Sequence, residues 1–77
     1  MGTRFPNANY RQVAKVASHL GFYLLRKGKD SHEIWKRDSD ERFTTLSNHG
    51  SASLKRKTLK SILEDLQITP EEFMKLK

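Results

Sequence analysis

Three side chains in this 77-residue sequence are equipped for proton transfer near neutrality: His19, His32 and His49. Imidazole both accepts and donates protons in that range, so histidine acid–base chemistry is the catalytic route the composition leaves open. Cysteine is absent, which excludes thiolate nucleophiles, thiolate zinc sites and disulfide staples. The sequence has no glycine-rich phosphate loop, no serine in a nucleophile-elbow pattern and no acidic pair at an obvious metal spacing. No residue pattern calls for a cofactor, and histidine acid–base chemistry is the expected route if the chain is catalytic.

His32 stands where a polar turn meets a strand, after Lys27 and Lys29 and before Glu33. Residue types alone allow two readings, an ordinary exposed strand histidine or one member of a site. His49 reads as a capping or exposed loop residue, and His19 as a solvated or structural residue in the last turn of a helix. A second group is Lys55, Arg56 and Lys57, at the start of a helix. A helix N-terminus favours negative charge, so cations there are locally unfavourable; the run is either a solvated face or a phosphate contact. The net charge of +6 and the pI of about 9.9 suit a polyanionic partner such as nucleic acid. An acidic protein or a membrane surface would suit them equally.

The elements that must position these residues follow from periodicity. Met1 to Ala8 is a polar lead-in. Asn7 or Asn9 caps a helix carrying Tyr10, Val13, Ala14, Ala17 and Leu20 at helical spacing, and Gly21 stops it. Three short strands follow, Phe22–Arg26, Ser31–Arg37 and Arg42–Leu46, joined by the polar turns Lys27–Asp30 and Asp38–Glu41. After a loop from Ser47 to Ser53, with Ser53 as a possible cap, Leu59, Ile62, Leu63 and Leu66 form the apolar stripe of a second helix. Thr69-Pro70-Glu71-Glu72 is a helix start with a capping threonine, proline at the first helical position and glutamate at the third.

The predicted fold class is α+β, in the order α-β-β-β-α with a short extra C-terminal helix. A three-stranded antiparallel sheet carries its helices on one face, and residues 1–77 make one domain. Trp35 is expected in the core rather than as a base-stacking platform. Alternation along the second strand leaves two arrangements open. If Trp35 is core, His32 faces the uncovered side; if Ile34 is core, His32 lies on the helical side at the strand's edge. No apolar run reaches membrane-span length and no signal-peptide core is visible, so a soluble, cytoplasmic protein is expected.

The ordered motifs resemble a known family. Leu20-Gly21-Phe22, then Arg26, then Ser31-His32-Glu33-Ile34-Trp35 are similar to the HicA (YcfA-like) mRNA interferases. So are Arg42-Phe43-Thr44-Thr45 with Asn48-His49-Gly50, and Thr58-Leu59-Lys60-Ser61-Ile62-Leu63 with Ile68 and Glu72-Phe73. The resemblance runs from about Val13 to Leu76. It implies a double-stranded-RNA-binding-like fold and metal-independent endoribonuclease activity on mRNA. It also implies the toxin role in a type II toxin–antitoxin system, with a HicB-type antitoxin as partner. The family's catalytic histidine corresponds to His32. Ser31 and His49 are candidate supporting residues, and Lys27, Lys29, Lys55, Arg56 and Lys57 candidate RNA contacts. A non-catalytic RNA-binding module of the same fold is the alternative. Two positions depart from the family pattern: Asp30 replaces the usual glycine before the serine, and Ser47-Asn48 replace the proline-containing turn before the second histidine.

Overall fold

The computed structural model describes residues 5–77; residues 1–4 of the expected lead-in lie outside the described residues. Helix α1 spans Tyr10–His19, and Asn9 caps it. The Asn9 side chain accepts from the Gln12 amide at 3.0 Å, and Gln12 reaches back to the Asn9 amide at 3.1 Å. At the far end Gly21 takes φ 95°, the Phe22 amide donates to the Ala17 carbonyl and the Gly21 amide to Ser18. This is a Schellman ending, and it delivers Phe22 into the core beside Ala17. Phe22 therefore belongs to the helix stop, and the first strand starts one residue later than its apolar character predicts.

Strands β1 (Tyr23–Lys27), β2 (His32–Arg37) and β3 (Arg42–Ser47) form an antiparallel sheet in the order β1-β2-β3. β2 pairs with β3 without interruption from His32↔Ser47 to Arg37↔Arg42. β1 pairs with β2 through Tyr23↔Lys36, Leu24↔Trp35, Arg26↔Ile34 and Lys27↔Glu33, with a bulge between Leu24 and Arg26. Both hairpin turns hold a non-glycine residue in the left-handed region, Asp30 at φ 57° and Glu41 at φ 52°.

Helix α2 runs Arg56–Leu66 and buries Leu59, Ile62, Leu63 and Leu66. Its N-cap is Lys55, with no side-chain cap bond; Ser53 instead pairs with Asn9 as an isolated bridge. The Thr44 hydroxyl donates to Asp65 at 3.0 Å and ties β3 to α2. Helix α3 (Pro70–Leu76) opens with the expected capping box of Thr69 and Glu72 and sinks Phe73 completely. The core joins Val13, Val16 and Ala17 of α1, Phe22, Trp35, Leu46, the α2 stripe and Phe73. Ala8 joins it too, and its carbonyl accepts from the Leu54 amide, so the described part of the lead-in is packed rather than merely polar.

Trp35 and Glu33 are buried, and so are Thr44 and Leu46 of β3. These alternating residues face the helices. The complementary set, His32, Ile34 and Lys36 with Phe43, Thr45 and Ser47, faces the uncovered side. The burial of Trp35 settles which of the two arrangements β2 adopts.

Candidate active site

His32 opens β2 directly after the first hairpin turn. The His32 amide donates to the Lys29 carbonyl at 3.1 Å, and the Gly28 amide donates to the His32 carbonyl at 2.8 Å. These two bonds close the turn around the histidine. The left-handed residue of this turn is Asp30, whereas Gly28 is not in the positive-φ region and has room for a Cβ. Position 30 is thus where glycine would relax the backbone.

The His32 side chain is exposed, and its Nδ1 lies 3.3 Å from the Lys29 carbonyl oxygen. A carbonyl only accepts, so in the neutral ring this contact places the hydrogen on Nδ1. Nε2 then carries the lone pair and has no protein partner among the described residues. That is the arrangement of an imidazole able to take a proton from an incoming group.

The loop after β3 folds back on the same turn. The Asn48 amide donates to the Ser31 carbonyl at 2.8 Å, and the Asn48 side chain accepts from the Gly50 amide at 3.2 Å. His49, between them, sets its Nε2 3.4 Å from the Ser31 hydroxyl. Ser31, His32 and His49 are therefore brought to one end of the sheet, although 17 positions separate the two histidines in the chain. Asn48 locks this loop by side-chain and backbone bonds. A cleft of about 420 Å³ runs between the start of α1 (Asn9, Tyr10, Arg11) and the loop residues Asn48, Gly50 and Ser51.

The expected cations divide. Lys29 lies in the turn beside His32, while Lys27 pairs with Glu33 and so shares the helical side of the sheet. Lys55, Arg56 and Lys57 occupy the uncapped start of α2, and the Arg56 guanidinium sits 5.0 Å from the centre of the Phe5 ring. None of these three is bonded to Ser31, His32 or His49. His19 is exposed in the last turn of α1, away from the cluster. Two residues of interest escape the sequence reading. Glu33, only 4% exposed, accepts from the Tyr10 hydroxyl at 2.6 Å and the Trp35 indole at 3.1 Å, directly behind His32. Burial, with the Glu33 carboxylate as acceptor, pushes the Tyr10 phenol up to about 12. The signal for Glu33 was present, since it shares strand parity with Trp35. Arg26 is the other: opposite Ile34, it shares the uncovered face with His32.

Among the described residues no group of three or more histidine, aspartate or glutamate side chains could hold a metal ion, and no helix is long and apolar enough to cross a membrane. The fold and site define an α+β protein that gathers two histidines at the end of an open sheet that carries the β1–β2 turn. Residues 10–68 match the family described as HicA toxin of bacterial toxin–antitoxin systems, which covers most of the chain. The chain belongs to that family, and its role is that of a toxin with a cognate antitoxin. No curated protein gives a significant match.

Proposed function

We propose that this protein is an mRNA-cleaving endoribonuclease in which His32 performs the proton transfer. The observation that carries the reading is the exposed Nε2 of His32, its ring held by Lys29, beside a second histidine that the Asn48 loop brings to Ser31. His32 removes the proton from a ribose 2′-hydroxyl. The 2′-oxygen attacks the adjacent phosphorus, the bond from phosphorus to the 5′-oxygen breaks, and that oxygen leaves with a proton. A cyclic phosphate and a 5′-hydroxyl end result, so atoms and charge balance without a metal. His49 is the candidate donor of the second proton. Lys29, in the turn beside His32, supplies positive charge to the phosphate under attack, and Lys27, Lys55, Arg56 and Lys57, on the helical side, are candidate contacts for RNA away from the cleaved bond.

The partner in this reading is a HicB-type antitoxin that covers the basic end of the sheet and His32, and the site of action is cytoplasmic mRNA. The test is cleavage of a defined RNA in EDTA by the wild type and by His32→Ala. Removing a general base is expected to cost about 100-fold or more in rate. Equal cleavage by both proteins overturns the assignment. RNA binding with no cleavage by either establishes the non-catalytic module instead.

A further inference from the structure

Every helix packs on one side of the sheet, and the other side carries side chains that folding does not explain. Phe43 is 51% exposed and Tyr23 40% exposed, and the register sets both opposite Lys36 in one row across the uncovered face. A single exposed ring is ordinary, but rings aligned in one row on an uncovered sheet face mark an interaction surface. The row is held in place: Asp38 accepts from the Tyr23 hydroxyl at 2.9 Å and pairs with Lys36 at 3.5 Å, and the Lys36 ammonium stands 5.6 Å from the Phe43 ring centre. Asp38 thus neutralises Lys36 and disfavours phosphate at that end.

The next row holds Arg26, Ile34 and Thr45. Arg26 makes no ion pair or hydrogen bond with any described side chain. It is diagonal to His32 across the β1–β2 pair, a separation of about 7–8 Å that an arginine side chain spans. From His32 to the Lys36 row is four residues along β2, or about 13 Å. One face therefore presents, in order, a proton-transfer group, an unpaired guanidinium and two exposed rings.

We infer that the uncovered sheet face is a track for single-stranded RNA, in which Phe43 and Tyr23 stack unpaired bases and Arg26 holds the phosphate next to His32. The inference rests on the ribonuclease reading and adds the form of the substrate. Stacking requires bases whose planes are free, and a duplex hides them. An arginine fork fits a phosphate, and the carboxylate at the aromatic end directs the backbone toward Arg26.

The test measures binding of a short unstructured oligoribonucleotide and of a duplex hairpin of the same composition, in the His32→Ala background so that the RNA stays intact. The single strand is expected to bind more tightly. Phe43→Ala weakens it by about 5- to 100-fold, with little change for the hairpin. Phe43→Trp retains the affinity, whereas Phe43→Leu, apolar but without a π face, loses it. Arg26→Gln weakens binding and lowers the slope of log affinity against log salt by about one. Phe43 and Arg26 are exposed, and circular dichroism confirms that each variant is folded. Single-strand binding indifferent to Phe43 and Arg26 overturns the inference, and His32-dependent cleavage by the otherwise unchanged protein would then leave the ribonuclease reading standing. Phe43-dependent binding without any cleavage has the reverse meaning. Weakened capture of the antitoxin with unchanged RNA affinity also overturns it, assigning the face to the protein partner.

Discussion

The two ends of the sheet are built from the same materials and put them to opposite uses. Each ends in a tight hairpin turn with an acidic residue in the left-handed region, Asp30 at one end and Glu41 at the other. At the Glu41 end Lys36, Arg37, Asp38, Asp40 and Arg42 are paired, and Glu41 alone forms no ion pair among the described residues. Arg37 grips Asp40 through Nε at 3.0 Å and Nη2 at 2.8 Å, donates to the Leu20 carbonyl, and lies 4.7 Å from the centre of the Phe22 ring. Lys36 pairs with Asp38, and Arg42 lies 3.6 Å from Asp40. At the Asp30 end Lys27, Lys29 and Asp30 form no ion pair among the described residues, and the histidines gather there instead. Paired charge belongs to the fold; unpaired cations beside an open imidazole remain available to a polyanion.

Substitutions at the two ends are expected to separate activity from stability. The largest effect is expected from His32→Ala, with cleavage reduced about 100-fold or more and an unchanged melting temperature, because the side chain is exposed. A fall in melting temperature that accounts for the lost rate would break the comparison. Arg37→Ala should do the reverse. Losing its bond to a backbone carbonyl and its contact with Phe22 is expected to cost about 1–3 kcal/mol in urea unfolding, with cleavage unaffected below the transition.

The two left-handed positions sharpen the contrast. Asp30→Gly and Glu41→Gly are each expected to raise stability by about 0.5–1 kcal/mol by relieving the backbone. Only Asp30→Gly should also tighten RNA binding, since it removes a carboxylate from the histidine end. Equal RNA affinities for the two variants would show that the ends do not differ in this way.

The smallest effect concerns pH. The Arg37 guanidinium holds the Asp40 carboxyl down at about 2, below its ordinary 3.8. A lowered value in the folded protein means that this pairing stabilises above the ordinary carboxylate range. The contribution is lost as pH falls from about 4 towards 2. Thermal unfolding across that interval should show a shallower acid dependence in Asp40→Asn than in the wild type. Identical profiles would remove Asp40 from the paired end.

Much of the architecture was legible because local rules and tertiary packing agree. The Thr69 capping box, the Gly21 stop and the α2 stripe each report a local requirement of the backbone or of one helix face. The misplacements fall where packing outweighs propensity. Phe22 has strand character but serves the Schellman ending, and Ser53 is a good cap residue but is engaged with Asn9. The site was legible one residue at a time. His32 could be singled out from the ordered motifs, but neither its outward face nor its company could.

Residue types and short-range spacing were enough for the set of chemistries, the order of the elements and the excess of positive charge. That Trp35 and Glu33 turn inward and His32 outward follows from helix packing, since alternation defines two faces without saying which one the helices cover. The tertiary structure also decided that His49 meets Ser31, and that Arg26, Tyr23 and Phe43 share a face with His32. Those neighbours are set by strand register and by loop bonds such as Asn48 to Ser31, which join residues distant in the chain and leave no periodic trace in it.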